Sequence, residues 1–137
     1  MLMKKHLAIM NKPTIEAILA GKKTIETRFS LHKISPFESV APGDLVYMKP
    51  PGEEIVGQFR VKKVFSFAGL VPEDMENIFK SYGKQIAMGD KVEDDKYKEE
   101  KKGCKYGTLI FISESERFIV SPLKVKKSDM RGWMVIE

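Results

Sequence analysis

Hydrophobic and polar positions change period several times along the chain, and each change marks an element. Leu7-Ala8-Ile9-Met10 is a short apolar run that predicts a buried strand. Asn11-Lys12-Pro13 then opens a helix, since proline's missing N–H would have no partner in a first turn. Ile15, Ile18 and Leu19 recur at i, i+3 and i+4 as one apolar stripe, and Gly21 supplies the stop. Over residues 23–29 the period becomes two, with Ile25, Thr27 and Phe29 on one side and Thr24, Glu26 and Arg28 on the other. Residues 30–42 read as a loop, and Ala41-Pro42-Gly43-Asp44 as a turn into a strand over 45–48. Past Pro50-Pro51-Gly52, residues 55–67 alternate as one long strand or bent pair, where Gly57 marks a bulge or a close backbone approach. Pro72-Glu73-Asp74-Met75-Glu76 opens a second helix with Met75, Ile78 and Phe79 as its apolar side. Residues 91–102 are densely charged and read as a short exposed helix or a mobile insertion. Strands are expected at 106–112 and 117–120, around a turn at Ser113-Glu114-Ser115-Glu116, and again at 133–136.

Six or seven strands with two or three helices make an α+β pattern, best met by a small, partly closed β-barrel with helices over its openings. At 137 residues this is one domain, 1–137, with a charged variable insertion around 84–104. With 42% hydrophobic and 31% charged residues the chain can build a packed core. Apolar runs such as 109–112 fall far short of the roughly 20 residues of a membrane helix, and the start lacks the apolar stretch of a leader. A cytoplasmic protein without a membrane partner, monomeric or a weak dimer, is expected. A single cysteine, Cys104, excludes an internal disulfide and any multi-cysteine metal site.

The net charge of +5 is mild, but its distribution is not even. Residues 1–33 hold seven bases against two acids, and residues 117–131 five against one, whereas 73–102 hold seven bases and nine acids. If the chain ends meet, they form one basic surface suited to a phosphate-bearing partner; otherwise they are two solvated faces.

Most familiar chemistry is missing. There is no glycine-rich phosphate loop and no nucleophile elbow. His6 and His32 have no companion at metal-ligand spacing, so no metal and no cofactor is expected and both read as structural or surface residues. Cys104 has no base at a recognisable spacing and reads as an ordinary thiol.

One constellation stands out, in Gly21-Lys22-Lys23-Thr24-Ile25-Glu26-Thr27-Arg28. Ile25 and Phe29 claim the core, so Glu26 and Arg28 should point away from it, into a cleft under the first helix with Lys23 at its mouth. Arg28 could fork two hydrogen bonds onto a phosphate or carboxylate, and Lys23 could add a point charge. The same residues would also serve as an ion-pair cluster that pins the helix–strand junction.

Gly21, Lys23, Glu26 and Arg28 meet a Gly-x-Lys-x-x-Glu-x-Arg pattern at the end of a helix, and in this the chain resembles the ASCH domain, within the PUA-like superfamily. The opening strand and helix, the Pro-Gly-Asp turn, Ile55-Val56-Gly57 and the closing Arg131-Gly132-Trp133 are also similar. The resemblance covers most of the chain, 70–105 being the most variable part. It implies a PUA-like barrel with flanking helices and a link to RNA, with RNA, a nucleoside or a nucleotide as partner. It implies, too, that Lys23, Glu26 and Arg28 line a ligand cleft, which Lys49 could border and where Tyr47 could stack a base. Some ASCH-like proteins are amidohydrolases on N4-acetylcytidine, using a lysine and a threonine of this motif and a later glutamate; others are ribonucleases. Lys23 and Glu26 are the candidate catalytic residues, Lys23 matching that lysine. The threonine position holds Glu26, however, and a carboxylate cannot attack an amide as a hydroxyl does. Thr24 has no assigned role.

Overall fold

A computed structural model describes residues 2–125 and 131–136. Its elements run β1 (Lys5–Ile9), α1 (Lys12–Leu19), β2 (Ile25–Ser30), β3 (Leu45–Lys49), β4 (Gly57–Ala68), α2 (Pro72–Ile86), α3 (Lys91–Lys101), β5 (Tyr106–Arg117) and β6 (Trp133–Val135). The strands form one mixed sheet in the order β2-β5-β4-β3-β1-β6. β1 and β3 run parallel and every other pair is antiparallel. β2 and β6 are the sheet's edges, yet Arg28 on β2 donates to the carbonyls of Ile9 and Gly132 at 3.2 and 3.1 Å. The sheet therefore curls into a half-barrel whose two edges face each other across a seam. This is the PUA-like α+β fold.

Local chemistry sets the elements much as the pattern predicts. The Asn11 side chain accepts from the Thr14 N–H at 2.9 Å and caps α1. At α2, Asp74 accepts from the Val71 N–H. Ile15 and Ile18 of α1 pack inside the half-barrel on Val46, Met48, Phe59 and Ile110. A second apolar layer on the outer face joins Ile25, Phe29 and Leu109 to Met75, Ile78 and Ile86 of α2.

Two expectations need correction. No turn interrupts residues 113–116, and there is no separate strand over 117–120: β5 is continuous to Arg117, while Ile119 and Val120 are exposed. Cross-strand pairing overrides the local turn preference, since Arg60 pairs with Ser113 and Gly57 with Arg117 around register shifts in β4. Nor does β2 have a core side and an open side. Glu26 sits opposite Ile110, an inner core residue, whereas Thr27 sits opposite Leu109 of the outer layer. Because α2 covers the outer face, both faces of β2 are buried, and Glu26 and Arg28 point to the inside of the half-barrel.

Candidate functional site

The motif forms where α1 hands the chain to the edge strand. Lys23 N–H bonds back to the Ala17 carbonyl at 3.1 Å, and the Lys23 side chain lies buried rather than at a mouth, only 5% exposed. Its ammonium donates to the Ile86 carbonyl at 2.6 Å and stands 3.8 Å from Glu26 Oε1. Glu26 Oε2 accepts from Arg28 Nη2 and Nε at 3.1 and 3.3 Å. The Arg28 fork is thus spent on Glu26 and the two seam carbonyls, with its guanidinium 5.2 Å above the Trp133 ring. Arg28 holds Glu26 in place and ties β2 across the seam.

Burial is the largest influence on Lys23 and pulls its ammonium below the ordinary lysine value; the charges of Glu26 and of Asp94 on α3 pull the other way. An amine so placed gives up its proton more readily than a surface lysine, which suits proton transfer.

A cleft of about 1320 Å³ opens over this cluster. β2 walls one side, residues 131–135 the other, and α3 crosses it; Lys23, Glu26, Arg28, Tyr97, Arg131 and Trp133 are among the lining residues. Acidic and basic side chains are mixed in its lining. The ends of the chain do come together here, because β6 pairs with β1 and Gly132 takes the Arg28 bond. Lys126 and Lys127 of the second basic segment lie outside the described residues.

The structure gathers Lys23, Glu26 and Arg28 but leaves the other candidates elsewhere. Tyr47 is buried among Leu7, Leu45 and Ile55, its ring 6.2 Å from Phe118. Lys49 is fully buried and donates to the Pro50 carbonyl. Both sit on β3, a central strand away from the seam. Thr24 is exposed and does not line the cleft.

Sequence reasoning missed Thr27 and Tyr97, which meet at 2.5 Å between hydroxyls; a lone tyrosine in so charged a run was the available signal. It also missed the support beneath Trp133, whose indole N–H donates to His6 Nδ1 at 3.0 Å. That bond leaves the proton on His6 Nε2, which faces Asp44 Oδ2 at 2.8 Å. Among the described residues no His/Cys/Asp/Glu group could hold a metal ion, and no helix is long and apolar enough to cross a membrane.

The sequence matches the family model of the ASCH domain over residues 9–125. Among solved structures, the fold is similar to that of an ASCH protein from Zymomonas mobilis, with a TM-score of 0.61 and 15% identity over 83% of this chain and 70% of that one. An alanine-substituted form of the Zymomonas mobilis protein gives a TM-score of 0.70 at 12% identity, covering 98% of this chain and 89% of that one. A protein from Enterococcus faecalis V583 gives 0.56 at 13% identity, over 90% and 88%. No protein with a curated description matches the sequence.

Proposed function

The chain belongs to the ASCH domain family, and on that premise we propose that it binds RNA, taking one nucleotide of a single-stranded segment into the seam cleft. The observation that carries this reading is the convergence of three ionic side chains on the wall of that cleft, with Lys23 at 3.8 Å and Arg28 at 3.1 Å from the two carboxylate oxygens of Glu26. A buried donor next to a carboxylate can read the edge of a base, while Arg131 and the lysines of α3 stand where a backbone phosphate would pass. Acids among the bases of the lining make the interior better suited to a base than to a run of phosphates. Titration of a labelled single-stranded RNA at two salt concentrations tests this. Each phosphate contact should add about 0.7 to the log–log salt slope, so the few contacts expected give a shallow dependence. Absence of binding at low salt would remove the proposal.

A hydrolytic role in the same cleft, on an N4-acetylcytidine-like nucleoside or on RNA, is the second reading, favoured by the depressed Lys23 ammonium. Incubation with each substrate beside a Lys23→Ala control decides it, since turnover unaffected by that substitution belongs to a contaminant.

A further inference from the structure

Helix α3 is held to the protein in an unusual way. Nine of its eleven residues, KVEDDKYKEEK, are charged, and it buries none of them. Its apolar packing on the outer layer comes through Tyr97, and Val92 is exposed. Its attachments are few: Asp94 Oδ1 accepts from the Met88 N–H at 3.0 Å, Tyr97 meets the Phe79 ring edge-on at 6.3 Å, and the Tyr97 hydroxyl engages Thr27. The segment is flanked by Gly89 (φ +89°) and Gly103, where the chain can swing at low steric cost.

The Thr27 contact has a particular character. The carbonyls of Thr24 and Ser30 accept from Ile112 and Lys105 on the β5 side. By alternation the Thr27 backbone faces the opposite, unpaired edge of β2. Two side chains cap it there. Glu26 Oε1 accepts the Thr27 N–H at 3.1 Å, and Tyr97 Oη reaches the Thr27 carbonyl at 3.3 Å. If the Thr27 hydroxyl donates to Tyr97 Oη and Tyr97 donates to the carbonyl, each proton is used once. The phenol thus occupies the backbone and hydroxyl positions that line the cleft beside Glu26.

We propose that α3 is a lid latched by Tyr97 on Thr27, and that a ligand reaches the Lys23–Glu26–Arg28 cluster only when this latch is released. The identity of the ligand rests on the RNA reading above; the latch does not. With the lid open, Thr27 presents a carbonyl and a hydroxyl next to the Glu26 carboxylate, a row of acceptors for the donor edge of a base.

Hydrogen exchange of the free protein tests the latch. Tyr97→Phe keeps the ring and removes the hydroxyl, so peptides covering α3 should exchange roughly five- to tenfold faster while β4 and β5 peptides are unchanged. Thr27→Val leaves the Tyr97 bond to the Thr27 carbonyl and should accelerate α3 less than Tyr97→Phe, and the double variant should be no faster than Tyr97→Phe alone. Unchanged exchange in α3, or acceleration spread evenly through the sheet, would overturn the latch. With a single-stranded RNA oligonucleotide, Tyr97→Phe should associate faster by a similar factor. Faster exchange with an unaltered association rate would overturn the gating role, whereas failure of both proteins to bind RNA would sink the RNA reading and leave exchange to decide the latch.

Discussion

Replacing Glu26 by glutamine removes a charge while keeping the shape and the oxygen that accepts the Thr27 N–H. The neighbours then matter. Lys23 and Glu26 are each only 5% exposed, so water does little to screen what is lost. Removing one partner of a buried pair commonly costs about 3–5 kcal/mol. The lower end applies here, because Lys23 keeps the Ile86 carbonyl and Arg28 keeps two others. A loss of about 3 kcal/mol corresponds to a fall in Tm of roughly 10 °C for a chain of this size. The sign of the pH dependence follows from Lys23. Burial depresses its ammonium in the folded state, and unfolding restores it. Between the two values the unfolded chain holds the extra proton, so stability rises with pH. Without the Glu26 charge the folded value drops further, and the variant regains more on going from about pH 7 to about pH 9.5. Denaturant unfolding of both proteins at each pH measures this. A cost below about 1 kcal/mol, or a gap that stays constant or widens with pH, would refute the buried-pair reasoning.

Three further outcomes are expected. Burial raises the Asp44 carboxyl, but hydrogen bonds from His6, Lys4 N–H and Ala41 N–H outweigh it and leave the group below its usual value. Its stabilising contribution is present above the ordinary carboxylate range and lost as pH falls through the folded value, so Asp44→Asn should be less stable at neutral pH and flatten the acid-unfolding profile below about pH 4. Trp133→Phe leaves His6 Nδ1 buried without its donor and should cost about 1–3 kcal/mol by chemical denaturation. Gly57→Ala would bring a methyl within 2.8 Å of the Glu116 backbone oxygen and should cost about 1–3 kcal/mol, whereas Gly83→Ala meets nothing within 4 Å on α2 and should gain about 0.5–1 kcal/mol in the same assay.

Much of the architecture was legible because local patterns and tertiary structure agree. The stripe of Ile15 and Ile18 faces the interior, and Gly57 does sit where two backbones approach closely. The break at residues 113–116 was misread because serine and glutamate carry turn propensity, while the pairing that straightens them comes from Arg60 and Gln58 more than fifty residues away. At the site, spacing put Glu26 and Arg28 on one face but could not say which face was inside. That depended on α2 covering Ile25 and Phe29 from without. Tyr47 and Lys49 lie away from the motif because strand order carries β3 to the middle of the sheet, which no local pattern reveals. The Tyr97–Thr27 contact spans seventy residues and leaves no periodic trace.

Amide chemical shifts of the labelled protein, followed as a single-stranded RNA oligonucleotide is added, locate binding most directly. With a nucleotide in the seam cleft, residues 23–29, 97 and 131–134 should shift together while the Tyr47 and Lys49 amides of β3 stay still. Shifts confined to the outer sheet face or to α2, with the Lys23–Arg28 segment silent, would contradict binding there.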